Sequence, residues 1–216
     1  MSTYYEVKQG DHLSSIAKAF GFSRYQTIWD DPNNADLKAE RVNPNVLYPG
    51  DVLFIPDKVV PDFTRPTDKR HKFILNAPAL QLRLVLEDIY EKPIADAKCS
   101  LRLGFKWLKL TTDGAGHLNH DISPELRDAS LVIKSNETPF DGTHIPVRVG
   151  HLDPVDKLTG QQARLNNLGY FPGKVGGTNT AAFESAVEEF QCDNGLTVDG
   201  ICGPQTQAKL KQVHGC

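Results

Sequence analysis

Three successive patterns of hydrophobic and polar positions divide the chain. In the first, Leu13, Ile16, Ala17 and Phe20 recur at helical spacing between two short apolar segments, Tyr5-Glu6-Val7 and Val52-Leu53-Phe54-Ile55. This predicts a strand, an amphipathic helix and a closing strand that Pro56 ends. Asp11 stands before the helix as an N-cap, and Gly21 stands where a C-terminal cap belongs. Tyr25 to Trp29 predicts a second short helix. Asp31-Pro32-Asn33-Asn34 interrupts it, and Ala35 to Arg41 supplies a further helical turn.

The second pattern has period two. Leu80, Leu82, Leu84 and Leu86 alternate with Gln81, Arg83, Val85 and Glu87, as in a strand with one buried face. Further strands are predicted at Cys99 to Phe105, Trp107 to Thr111, His117 to Ile122, Ala129 to Ile133 and Ile145 to Val149. Asp113-Gly114 provides turn chemistry between two of them. Many short strands in one stretch predict a small antiparallel sandwich. The third pattern is helical again. Leu158, Ala163, Leu165 and Leu168 line one helix that ends at Gly169, Phe183, Val187 and Phe190 line a second, and Leu210 and Val213 lie on a third. Pro172 to Gly177 before one helix and Thr197 to Gly203 before the next echo each other as an internal duplication. The fold class is therefore multidomain α+β, with units at 3–58, 73–150 and 156–216. The polar, proline-bearing stretch 59–72 reads as a linker.

With 216 residues, 39% hydrophobic and 24% charged, the chain has ordinary globular composition. A net charge of −3 without a block of like charges leaves no electrostatic footprint for nucleic acid or an acidic membrane, so polyanion binding is not expected. The first residues offer neither a basic nor an apolar signal region, and no apolar run reaches the ~20 residues that cross a bilayer; a Sec signal and membrane insertion are not expected. Cys99, Cys192, Cys202 and Cys216 show no CxxC spacing. Cys192 and Cys202 are close enough in sequence for a disulfide, and small buried thiols are the alternative. His117 and His120 fall on opposite faces of a strand and have no third ligand, so neither a metal nor another cofactor is expected.

Two stretches carry a resemblance to known families. Tyr5-Glu6-Val7-Lys8-Gln9-Gly10-Asp11-His12-Leu13-Ser14-Ser15-Ile16-Ala17, with Asn43-Pro44-Asn45-Val46-Leu47-Tyr48-Pro49-Gly50-Asp51 and Leu53-Phe54-Ile55-Pro56, resembles the opening and close of LysM domains. The resemblance implies a βααβ fold and binding of N-acetylglucosamine glycans. Gly10, Asp11, His12 and Leu13 would form one side of the groove, and Pro44, Asn45, Val46 and Leu47 the other. Such a site needs amide and backbone hydrogen bonds for N-acetyl groups over apolar surface. The chain departs from the family by the insertion at 32–41 and by His12, where Thr is common. Gln161 to Tyr170, Glu189-Phe190-Gln191, Asn194 to Gly200 and Gly203-Pro204-Gln205-Thr206 resemble the three-helix peptidoglycan-binding family. There Tyr170, Phe171 and Phe190 would floor a cleft whose rim is Asp199, Gly200 and Thr206. Gly176-Gly177 departs from that family's Asp-Gly. Pro93 to Ala97 and Thr112 to Gly116 loosely resemble carboxypeptidase-regulatory-like and other Ig-like spacer domains.

The expectation is a non-catalytic, bivalent peptidoglycan-binding protein with an Ig-like spacer. Its modules, without a Sec signal, resemble accessories of contractile machines such as type VI secretion systems or phage tails. That implies a spike or tail protein as a further partner and action in the periplasm or envelope, or after delivery. The alternative is a wall hydrolase or delivered toxin with catalytic residues in 73–150; no nucleophile and base pair is evident there.

Overall fold

The computed structural model describes residues 2–59, 64–72, 80–88, 90, 92–134 and 142–216. Residues 60–63 of the expected linker and 73–79 at the expected start of the sandwich lie outside them. The architecture is mixed α and β, with antiparallel sheets.

In the N-terminal unit β1 (Thr3–Glu6) pairs antiparallel with β2 (Val52–Ile55) in the register Tyr5 to Leu53. Helix α1 (Leu13–Ala19) packs Leu13, Ile16 and Ala17 into a core shared with Val7, Ile28, Trp29, Leu47, Leu53 and Ile55. Gly21 fulfils its expected role. At φ +74 it lets its own amide reach Lys18 O (2.9 Å) and that of Phe22 reach Ala17 O (2.8 Å), which closes the helix with a Schellman pair. The N-cap, however, is His12 and not Asp11. The Asp11 carboxylate instead accepts from the Lys8 amide (3.0 Å) and the Tyr5 hydroxyl (2.7 Å), so it closes the preceding turn and faces away from the helix.

The expected second helix is α2 (Gln26–Trp29). A 3-10 turn at Pro32–Asn34 and α3 (Ala35–Glu40) make up the insertion. Asn34, buried, holds it down: its amide donates to Ile28 O and Phe54 O and accepts from the Phe54 amide, each at 2.8 Å, so a side chain pairs the free edge of β2. Arg41 forks onto Asp51 through Nε and Nη2, both at 2.9 Å. Both side chains are almost fully buried, so removing one alone costs about 3–5 kcal/mol.

The middle unit holds β3 (Leu80–Val85), β4 (Lys98–Leu103), β5 (Lys106–Thr111), β6 (His117–Ile122), β7 (Asp128–Ile133) and β8 (His144–Arg148). Strands β3 and β6 form one sheet, and the order β5-β4-β7-β8 forms the other. The inward faces of both supply one core, with Leu82, Leu118 and Ile122 from the first sheet and Leu101, Leu131 and Ile133 from the second. This is the two-layer arrangement that the period-two pattern predicts.

The C-terminal unit contains α4 (Leu158–Asn167), α5 (Ala181–Asp193) and α6 (Pro204–His214) around Leu165, Phe183, Val187, Phe190 and Leu210. Val213 is 44% exposed and lies at the margin of this core. Helix α4 departs from simple amphipathicity. Gln161, Gln162 and Arg164 are buried beside Leu165. Arg164 donates to the carbonyls of Asp153 (2.8 Å), Gly160 (2.8 Å) and Cys216 (2.9 Å), and thus ties the entry of the unit to its last turn. Gly160 is required because a Cβ there would collide with the carbonyl oxygens of Asp153 and Pro154.

Candidate functional site

The two segments expected to line a groove in the N-terminal unit do meet. The Leu13 amide donates to Pro44 O (3.2 Å), and Ser14 Oγ donates to Asn45 Oδ1 (3.2 Å). Gly10, Asp11, His12, Leu13, Val46 and Leu47 are buried, whereas Pro44 and Asn45 are half-buried.

What covers the turn is the middle unit. Arg127 donates through Nη1 to Gly10 O (2.6 Å) and through Nη2 to Asp11 Oδ1 (3.3 Å). Lys18 pairs with Glu125 at 2.9 Å beside it. A Cβ on Gly150 would meet Gly10 O at 2.5 Å, so the backbones touch there. Lys157 sets its ammonium 5.3 Å from the Tyr48 ring, which brings the start of the C-terminal unit against the same surface. Burial, then the Arg127 guanidinium, hold the His12 imidazole below its usual range, against the opposing pull of the Pro124 carbonyl, Asp11 and Asn45. Burial and the Asp11 carboxylate push the Tyr5 phenol up to about 12.

In the C-terminal unit the duplication has a physical basis, two buried glutamines that each clamp a glycine-bearing loop. Gln162 Oε1 accepts from the amides of Gly176 and Gly177 (both 3.1 Å), and its Nε2 donates to Thr178 O (2.9 Å). Gln191 Oε1 accepts from the amides of Asp199 (2.9 Å) and Gly200 (3.1 Å), and its Nε2 donates to Ile201 O (3.0 Å). It also donates to Asp199 Oδ1 (2.8 Å) and Thr206 Oγ1 (3.0 Å); the first repeat has no counterpart of the former contact, because Gly176 stands where Asp199 does.

The LysM domain model matches residues 5–31, and the family described as "Putative peptidoglycan binding domain" matches 161–210. The chain carries a LysM domain and a peptidoglycan-binding domain. It is also similar to the N-acetylmuramoyl-L-alanine amidase CwlM of Mycobacterium tuberculosis, 40% identical over 55 residues. The match covers 26% of this chain and 14% of that protein. No solved structure matches the chain significantly.

Of the residues expected to contact ligand in the peptidoglycan-binding domain, Gly200 and Thr206 are buried around Gln191. Asp199 is exposed, and Gln191 and the Ile201 amide hold its carboxyl below the usual range. Tyr170 packs edge-on against Phe190 (5.4 Å) and donates to Asp193 (3.1 Å), while Phe171 is 82% exposed. Cys192 and Cys202 are both thiols, the first exposed and the second turned to the domain core, where burial pushes it up to about 11. Sequence reasoning missed the clamps and Arg127. The glutamines were visible only as part of a family string, and Arg127 acts on a turn far from it in sequence. Among the described residues, no helix is long and apolar enough to cross a membrane.

Proposed function

We propose that the chain is a non-catalytic, bivalent peptidoglycan binder whose terminal modules each engage N-acetylglucosamine glycan weakly and gain avidity together. The observation that carries this is the presence of two wall-binding modules at opposite ends of one chain. The sandwich between them serves as spacer and as cover for the LysM turn. In this reading the half-buried edge at Ser14, Pro44 and Asn45 admits a sugar first, and the turn from Gly10 to Leu13 completes the groove when the Arg127 contacts let go. Tyr170, Phe171 and the Asp199 loop form the second site. Asn45→Ala should weaken binding of chitin oligomers by about 1 kcal/mol with folding spared. A variant that binds like the parent would show that this loop is not the site.

The hydrolase reading draws on the likeness to an amidase. Clearing in a zymogram of purified wall, lost on a substitution within 73–150, would replace the binder reading. The place of action proposed is the wall or envelope. Attachment to a contractile machine is tested by pull-down with a spike or tail protein.

A further inference from the structure

The outer face of the four-stranded sheet gathers cations that the sequence keeps apart. Strand alternation sends Leu101, Leu131 and Ile133 to the core, so Lys98 and Arg102 of β4, Trp107 and Lys109 of β5, and Arg148 of β8 point the other way. Lys134, whose amide bonds Lys98 O (2.7 Å), continues this side after Ile133. All six are exposed, Trp107 to 57%. None of the five cations forms an ion pair among the described residues, and Asp128 is the only described acid among these outward strand positions. This face is strongly positive in a chain whose formal net charge is −3.

We propose that this face binds an anionic polysaccharide, of the class whose sugar rings carry carboxylates. Trp107 pairs directly with Arg102 across β4 and β5, so an indole for the apolar face of a sugar lies beside a guanidinium suited to a carboxylate. Lys98, Lys109, Lys134 and Arg148 extend the charge across the sheet, as a polymer lying over it requires. A flat face offers no element to enter a nucleic-acid groove, and a single outward indole is a poor platform for successive bases. The choice of a polysaccharide rests on the wall-binding reading. The middle domain then becomes a third contact with the envelope, and its recognition is electrostatic where that of the terminal modules is neutral.

The test uses the full chain and Trp107 fluorescence, since Trp29, the other tryptophan, is only 5% exposed and sheltered from iodide. The probe is polygalacturonate, which carries carboxylates and no N-acetyl groups. It should protect Trp107 from iodide at low salt, and affinity should fall about tenfold or more when ionic strength rises to a few hundred millimolar. The Arg102→Ser, Lys109→Ser double variant should bind at least about tenfold more weakly, and so should Lys134→Ser, Arg148→Ser. The proposal fails if polygalacturonate gives no protection or if both double variants bind like the parent. It also fails if an oligo-dT strand or phosphatidylglycerol vesicles protect Trp107 at lower concentration. Titration with neutral chitin oligomers should be unchanged in these variants; its failure in the parent would count against the LysM reading alone.

Discussion

Arg127 donates to the carbonyl oxygen of Gly10 at 2.6 Å across 117 positions of sequence, and so joins the sandwich to the turn that opens the LysM domain. The same guanidinium reaches Asp11. If this turn is half of a glycan groove, the contact competes with sugar. Arg127 is about half exposed, so its pair with Asp11 is screened and its loss costs only about 1 kcal/mol. Arg127→Ala should therefore leave the fold intact and raise affinity for chitin oligomers several-fold. Gly150→Ala should act the same way more strongly, because at φ +77 its Cβ would press on Gly10 O. Calorimetric titration checks both, and unchanged affinity in both would show that the seam does not gate the site.

Stability should fall on mild acidification. His12 and His214 both have pKa values lowered from the ordinary 6.5, each by burial first and by a neighbouring arginine second, and His214 is held near about 4. Both are neutral in the fold at neutral pH, whereas the unfolded chain takes up protons at about 6.5. The stability they contribute is complete above about pH 6.5 and is lost as pH falls through 6 towards about 4. Thermal melts at pH 7.5 and pH 5 should show this, and His214→Gln should reduce the slope. A melting temperature independent of pH over that window would contradict it.

Removing the second clamp should loosen one loop selectively. Gln191→Ala leaves the amides of Asp199 and Gly200 without their acceptor and should cost about 3 kcal/mol. Gln162→Ala should cost less, since that side chain makes fewer bonds. Hydrogen exchange should speed up at Asp199 and Gly200 in the first variant and at Gly176 and Gly177 in the second.

Much of this fold could be read from residue patterns. The alternation from Leu80 to Leu86 gave β3 its buried side, and the spacing of Phe183, Val187 and Phe190 gave α5 its core face, because burial of one face imposes those periods locally. What escaped was non-local or polar. Asp11 looked like a cap because its type and place fit one, but the Lys8 amide and Tyr5 hydroxyl compete for the same carboxylate. Arg164 is buried through three carbonyls that no periodicity marks. The cations of the sheet face, spaced along four segments, form a patch only after the strands pair, and so the even charge distribution along the chain concealed them.

The two cysteines of the C-terminal module should react at different rates. Cys192 is exposed, and Cys202 carries a thiol whose pKa is near about 11, so little thiolate exists there at pH 8. Iodoacetamide should label Cys192 well before Cys202, as read by mass spectrometry. The disulfide expected between them requires Cys202 to turn out from the core; finding both thiols free after air oxidation would reject it.

Peptidoglycan binding through both ends is tested most directly by sedimentation with insoluble peptidoglycan, comparing the full chain with residues 1–58 and 152–216 alone, the latter keeping Asp153 and Pro154 that anchor Arg164 and Gly160. The account predicts that each module pellets weakly and that the full chain pellets at markedly lower wall concentration than either. A full chain that stays in the supernatant, or that binds no better than one module, would contradict it.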